Sequence, residues 1–391
     1  MKFNILQNFD YESNNLFKSF SSDVKLFTDD DEIEIFEAIK LIDIKLNYYL
    51  INACDKSVNE FKASIYSEIK KINNILISKN NNDIDLLTNQ LTNTAIDLSI
   101  KHILFEANKV KVENFNDDRL TKFKKDGFYD FLIPNSDYFN GICDELLTSH
   151  RKMYEKEDDW RGANAFDGGS NKDKYFSFFE NLIIENKIDL LVSQYWNAKC
   201  RIKYIASDYC HSRQKWFKNN HKGQSLMKTN YIHFDADPNI SKMLIYLTDV
   251  TENDGPFRVV RSSNLQHVSL FLKYLHYSLE LLNNSKFTKE SDLFGRGLYI
   301  YRKDLLMKLP SILIGATHFG DDLVEGSLLY NYILENLVTF KSRKGTCVLF
   351  DGFRSLHVGG NPISGERLAV QVAFEFEKKE EVKKRMIWFR K

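Results

Sequence analysis

Proline and glycine are scarce, at 5 and 17 residues in a chain of 391. Neither occurs between positions 29 and 110. A stretch that long without a chain breaker excludes a turn-rich β architecture there and predicts helices. Cysteine is equally sparse. Cys54, Cys143, Cys200, Cys210 and Cys347 are odd in number, widely spaced and contain no CxxC pair. That pattern excludes a disulfide framework and a structural zinc knuckle. No uninterrupted apolar run reaches the roughly 20 residues that a membrane span requires. The opening MKFNILQNFDYESNN lacks the apolar core of a signal peptide, so the expectation is a cytoplasmic chain with reduced thiols. Net charge is also absent: 54 basic residues balance 54 acidic ones. There is thus no electrostatic case for nucleic acid or a membrane surface as partner.

Apolar material is plentiful, with 43% hydrophobic and 14% aromatic residues, enough for a large core. Val58, Phe61, Ile65, Ile69, Ile72 and Leu76 recur at three- and four-residue steps, which places them on one helix face. Asn80-Asn81-Asn82 breaks the pattern, and Asp83 suits the N-cap of a further helix carrying Leu86, Leu87, Leu91 and Ile103. Residues 1–118 therefore read as an α-helical extension, a packing element able to support a homodimer.

From Arg119 the texture changes. Residues 126–134 read as a turn and a short strand, and Ser136 is placed to cap a helix near 137–153. Residues 155–174 are charged, Gly-containing and aperiodic, which predicts a long loop holding Trp160 and Arg161. After Trp216 short β-branched and aromatic runs appear at 224–229, 231–235, 242–250 and 257–263, then again at 345–350 and 367–376. The intervening 265–340 segment reads as an insertion within a sheet-based domain spanning 119–391. The overall class is α+β.

Two residues apart on a predicted strand, His233 and Asp235 point to the same face. One imidazole and one carboxylate can then share a cation. Two histidines and one carboxylate on one side of a metal, with open positions opposite, form the usual site of a non-haem iron oxygenase. His357 follows the strand at 345–350 and the pair Asp351-Gly352, and ten residues later Arg367 opens the last strand. A guanidinium fork there suits a carboxylate.

This order resembles the phytanoyl-CoA dioxygenase family of iron(II)/2-oxoglutarate-dependent oxygenases. It runs His233-x-Asp235, NDGPFRVVRSSN (253–264), KGTCVLFDGFRSLHVGGN (344–361), then Arg367. RLTKFKKDGFYDFLI (119–133) resembles the family's common start, so the likeness covers residues 119–376. It implies a double-stranded β-helix (jelly-roll) barrel with flanking helices. It also implies iron(II) on His233, Asp235 and His357, 2-oxoglutarate and O₂ as co-substrates, and the distal carboxylate of 2-oxoglutarate on Arg367. Gln224, Asn230 and Tyr246 would line the co-substrate pocket. The chain departs from the family twice. Arg261-Ser262-Ser263-Asn264 stands where Pro-Gly-Ser-His is usual, and Gly359 stands where a pocket Ser follows the second His. Asp235 occupies the place that is a small residue in related halogenases, which favours hydroxylation or another oxidation over halogenation. The implied reaction is oxidation of an unactivated C–H bond in a small natural-product, sugar or amino-acid-derived metabolite. His267, His276 and His318 have no ligand partner at suitable spacing and read as structural, while Arg258 and Arg354 flank the site phrases where an anionic substrate would lie. Two other readings stay open: a cupin-like metalloenzyme that does not use 2-oxoglutarate, and a non-catalytic barrel scaffold with a helical interaction region.

Overall fold

The computed structural model describes residues 27–54, 56–78, 83–112, 117–156, 163–169, 172–212, 220–221, 224–225, 232–233, 235, 240–265, 269–272, 274–275, 278, 318–319, 333–360 and 362–378. Its elements begin with α1 (Asp29–Ile51), α2 (Ser57–Ser78), α3 (Asp83–Asn108), α4 (Asp118–Asp126), β1 (Phe128–Leu132) and α5 (Asp137–Lys156). There follow β2 (Ala163–Ala165), α6 (Lys174–Glu185), α7 (Ile188–Trp196), β3 (Cys200–His211), β4 (Asn220–His221), β5 (Gln224–Ser225) and β6 (Ile232–His233). The last are β7 (Ser241–Tyr246), β8 (Arg258–Val260), β9 (His318–Phe319), β10 (Leu337–Thr339), β11 (Thr346–Phe350), β12 (His357–Val358) and β13 (Glu366–Phe376). No described helix is long and apolar enough to cross a membrane.

The chain divides into two compact units, Met1–Asn108 with Gln266–Glu335, and Lys109–Leu265 with Asn336–Lys391. In the first, α1 starts in a capping box. Thr28 Oγ1 accepts from the Asp31 amide, and Asp31 accepts from the Thr28 amide at 2.8 Å. Helix α2 buries Ser57, Phe61, Ile65, Ile69, Ile72 and Leu76. That is the predicted stripe, with Ser57 in place of the half-buried Val58. Described residues of the 265–340 segment, an insertion by sequence, meet these helices. Asp43 Oδ1 accepts from the Phe271 amide at 2.8 Å, and His102 Nδ1 lies 2.7 Å from the Tyr274 hydroxyl. Burial pushes the Asp43 carboxyl up to about 6, against opposing bonds from Ser269 and the Phe271 and Leu270 amides.

The second unit is mixed α and β with antiparallel sheets. One sheet has the order β1-β11-β7-β13-β3-β2. At its middle, β13 pairs with β3 on one side and β7 on the other. This explains why LAVQVAF is almost continuously apolar: a central strand covered on both faces has little room for alternation. Strand β3 alternates instead over its middle, with Ile205, Ser207 and Tyr209 buried and Tyr204, Ala206 and Asp208 less so. It precedes Trp216 and is a strand that the sequence pattern did not place. The predicted 155–174 loop likewise contains β2, which pairs with β3 through Ala163–Ala165. Residues of such a short strand carry no periodicity to read.

Strands β4 and β5 form a separate two-stranded ribbon, and the strands of a second sheet that lie in this unit run β10-β8-β12-β6. Phe257 and Val259 from its side share one core cluster with Phe128, Tyr246, Val348, Phe350 and Ala369 from the first sheet. Burying each of the larger side chains stabilises the unit by about 1.5–3 kcal/mol. Ser136 caps α5 as expected, its Oγ accepting from the Phe139 amide at 3.1 Å. Gly127 ends α4 in the left-handed region at φ 81°, where a Cβ would also collide with Ser355 Oγ.

Candidate functional site

Strands β6 and β12 pair so that His233 and His357 are direct Cα partners. On its other side His357 pairs with Val259 of β8. Just past β6, the Asp235 amide donates to the Gly352 carbonyl at 2.7 Å, which fixes the carboxylate beside β12. Asp235 Oδ2 lies 3.6 Å from His357 Nε2 and 2.9 Å from Lys242 Nζ. His357 Nδ1 lies 2.9 Å from the Ser355 carbonyl. A carbonyl only accepts, so Nδ1 carries the hydrogen of this bond, and in the neutral ring the Nε2 lone pair is then on the side of Asp235. The His357 ring is 5% exposed and packs against Phe350 and Phe257, with centroids 4.9 and 6.0 Å away. One imidazole nitrogen and one carboxylate oxygen thus lie side by side, the imidazole buried and the carboxylate partly so. That donor set fits a divalent transition ion. The His233 side chain lies outside the described residues. Among those described, no group of three or more His, Cys, Asp or Glu side chains is placed to hold a metal.

The loop that delivers His357 is tied down residue by residue. Asp351 is fully buried, and its carboxylate accepts from the Tyr195 hydroxyl at 2.8 Å and the Arg354 amide at 3.0 Å. Tyr195 stacks on Phe123 at 4.1 Å, and burial raises its hydroxyl pKa well above the ordinary range. Ser355 Oγ donates to the Gly127 carbonyl at 3.0 Å, while Ser263 Oγ accepts from the Leu356 amide at 2.9 Å. A Cβ at Gly352 would collide with the Asp235 carboxylate, so only glycine leaves room there. Arg354 is exposed and lies over the Trp196 ring at 4.4 Å.

Arg367 is 4% exposed. Its Nη1 donates to the Gly255 carbonyl, and its Nη2 reaches Cys210 Sγ at 3.5 Å. Its Nε has no partner among the described residues. Burial weakens its hold on the proton, but Cys210, Tyr246 and Asp208 outweigh that and the guanidinium stays charged. A buried cation with an orphaned donor is the kind of group that an anion satisfies. Tyr246 is used otherwise. Its hydroxyl donates to the Phe340 carbonyl at 3.0 Å and accepts from the Phe257 amide at 2.9 Å, so it works as a core fastener next to Arg367.

Few of the remaining sequence candidates lie among the described residues. Gln224 sits on the β4–β5 ribbon, its side chain outside the described residues. Asn230, Trp160, Arg161, His267 and His276 also lie outside them. Only the backbone of His318, on β9, is described. Arg258 pairs with Glu252 at 3.2 Å. Sequence reasoning missed Lys242, Cys210 and the Asp351–Tyr195 bond. The signal for Lys242 was present: in SKMLIY it alternates onto the same face as Leu244 and Tyr246, which pack in the core between the sheets.

No family model matches this chain, and no curated protein matches it. Solved structures do match, at low identity. The non-haem α-ketoglutarate-dependent carbocyclase SnoK from nogalamycin biosynthesis is 13% identical at a TM-score of 0.36, covering 69% of this chain and 88% of its own. The non-haem α-ketoglutarate-dependent epimerase SnoN from the same biosynthesis is 14% identical at 0.34, covering 66% and 82%. HygX from Streptomyces hygroscopicus, solved with nickel and 2-oxoglutarate bound, is 12% identical at 0.36, covering 67% and 87%. Similarities of this size identify no activity, so the chemistry has to come from the residues.

Proposed function

We propose that this chain is an iron(II)- and 2-oxoglutarate-dependent oxygenase that hydroxylates an unactivated C–H bond of a small natural-product, sugar or amino-acid-derived metabolite. The supporting observation is the convergence of His357 Nε2 and Asp235 Oδ2, 3.6 Å apart, beside a β-pair that sets His233 opposite His357. A buried, charged Arg367 whose Nε has no partner among the described residues stands in the same unit. We read the two antiparallel sheets as the halves of a double-stranded β-helix, with the site between them.

His233, Asp235 and His357 would hold the metal. When bound, iron(II) with 2-oxoglutarate supplies the O₂ activation, at the cost of one 2-oxoglutarate converted to succinate and CO₂. The chain's own residues do the rest. The Nδ1 bond to Ser355 fixes the His357 ring and directs Nε2 to the side of Asp235, where it would ligate. Arg367 would receive the distal carboxylate of 2-oxoglutarate through its open donor. Phe257, Val259 and Phe350 keep water from the site. The direct test is turnover of 2-oxoglutarate to succinate without added substrate. The reading expects slow, iron-dependent succinate formation that His357→Ala abolishes; succinate formation unchanged by that substitution would remove it.

A further inference from the structure

Lys242 is out of place for a structural lysine. It lies on β7, an interior strand flanked by β11 and β13, where its Cα partners are Phe350 and Ala373. Strand alternation turns it to the face of Leu244 and Tyr246, into the core that the two sheets share. Its side chain is 20% exposed, and a largely buried ammonium requires a counter-charge. The counter-charge is Asp235: Lys242 Nζ lies 2.9 Å from Oδ2, the same oxygen that lies 3.6 Å from His357 Nε2.

We propose that Lys242 is a positioning residue that acts as the resident cation of this site. Its ammonium holds the Asp235 carboxylate in place while no metal is bound and competes with a divalent ion for Oδ2. The inference rests on the metal-site reading above. Two consequences follow from charge alone. Without metal, loss of the ammonium takes a cation from the partly buried Asp235 carboxylate, which destabilises the fold. With metal, the same loss removes both a competitor for Oδ2 and a like-charge repulsion a few ångströms from the ion. A lysine that merely supported the fold would do the opposite on metal binding, since disturbing the pocket weakens it.

The test is calorimetric titration of cobalt(II) into metal-free protein, alongside melting curves without metal. Lys242→Met is expected to bind cobalt(II) about tenfold or more tightly than the parent and to melt lower when metal-free. Lys242→Arg, which keeps the charge, is expected to restore the parent affinity. Should Lys242→Met fail to fold, Lys242→Gln asks the same question. Equal or weaker cobalt(II) binding in the neutral variant overturns the proposal, provided that binding to the parent is lost in His357→Ala. If the parent shows no His357-dependent cobalt(II) binding, the metal-site reading itself falls and takes this inference with it.

Discussion

The Asp235 amide donates to the carbonyl of Gly352 at 2.7 Å, and the Gly352 α-carbon faces the Asp235 carboxylate so closely that no β-carbon fits between them. Residues 117 positions apart in sequence thereby set the position of one carboxylate. Gly352→Ala should push that carboxylate off its place. Cobalt(II) affinity is expected to fall roughly 10- to 100-fold, the usual effect of disturbing a ligand's support. The check is calorimetric titration with circular dichroism to confirm the fold. Unaltered affinity in a folded Gly352→Ala protein would break the link between this glycine and the site.

Arg367 has a separate expected signature. Arg367→Lys keeps the buried charge but loses the fork that can grip a carboxylate with two donors. The apparent KM for 2-oxoglutarate should rise by roughly 10- to 100-fold, the loss of one charge-assisted hydrogen bond. Cobalt(II) affinity should stay within a factor of about three. Steady-state succinate formation and a metal titration on the same preparation separate the two. Loss of metal binding with co-substrate affinity retained would contradict the assignment.

Tyr195 anchors the loop ahead of His357 through its bond to the buried Asp351 carboxylate. Tyr195→Phe removes only that hydroxyl. The protein should lose about 1.5–3 kcal/mol of stability, the ordinary worth of a hydrogen bond to a charged group. Urea unfolding measures it. A loss below about 0.5 kcal/mol would mean that the bond does not organise the loop.

Asp43 gives a pH dependence to the first unit. Its carboxyl is raised from the ordinary 3.8 to about 6, chiefly by burial. The folded state therefore binds the proton more tightly than the unfolded chain. The stability this adds is complete below about pH 4 and is lost as pH rises through about 6. Asp43→Asn keeps an acceptor for the Phe271 amide and cannot ionise. Relative to the parent, it should gain stability as pH rises from 4 to 7. The difference between the two proteins matters, because burial lowers His150 to about 4 and its contribution runs the other way, lost as pH falls from about 6.5. Parallel stability curves for parent and variant would contradict the burial of Asp43.

Local patterns carried the reading of the sequence furthest. The α2 stripe, β11 and β13 were visible because burial on one helix face or on both sheet faces leaves a direct periodicity. The His-x-Asp step and the later histidine could be picked out as candidate ligands because ligand chemistry restricts residue type, and β6 and β12 set the two histidines opposite each other. Contacts closed over long separations were not visible. Nothing near Asp43 announces Phe271, 228 residues away, and nothing near Tyr195 announces Asp351, 156 residues away. Lys242 shows the intermediate case. Its inward phase could be counted along the strand, but its partner is defined only once β6, β7 and the Gly352 turn come together.

The most direct test of the central claim is an anaerobic titration of iron(II) and 2-oxoglutarate into the metal-free protein, followed by visible absorption. Chelation of iron by a 2-oxo acid gives a weak metal-to-ligand charge-transfer band. The account predicts that band in the parent and its loss in His233→Ala, Asp235→Ala and His357→Ala. Iron binding without the band, or a band that survives all three substitutions, would contradict it.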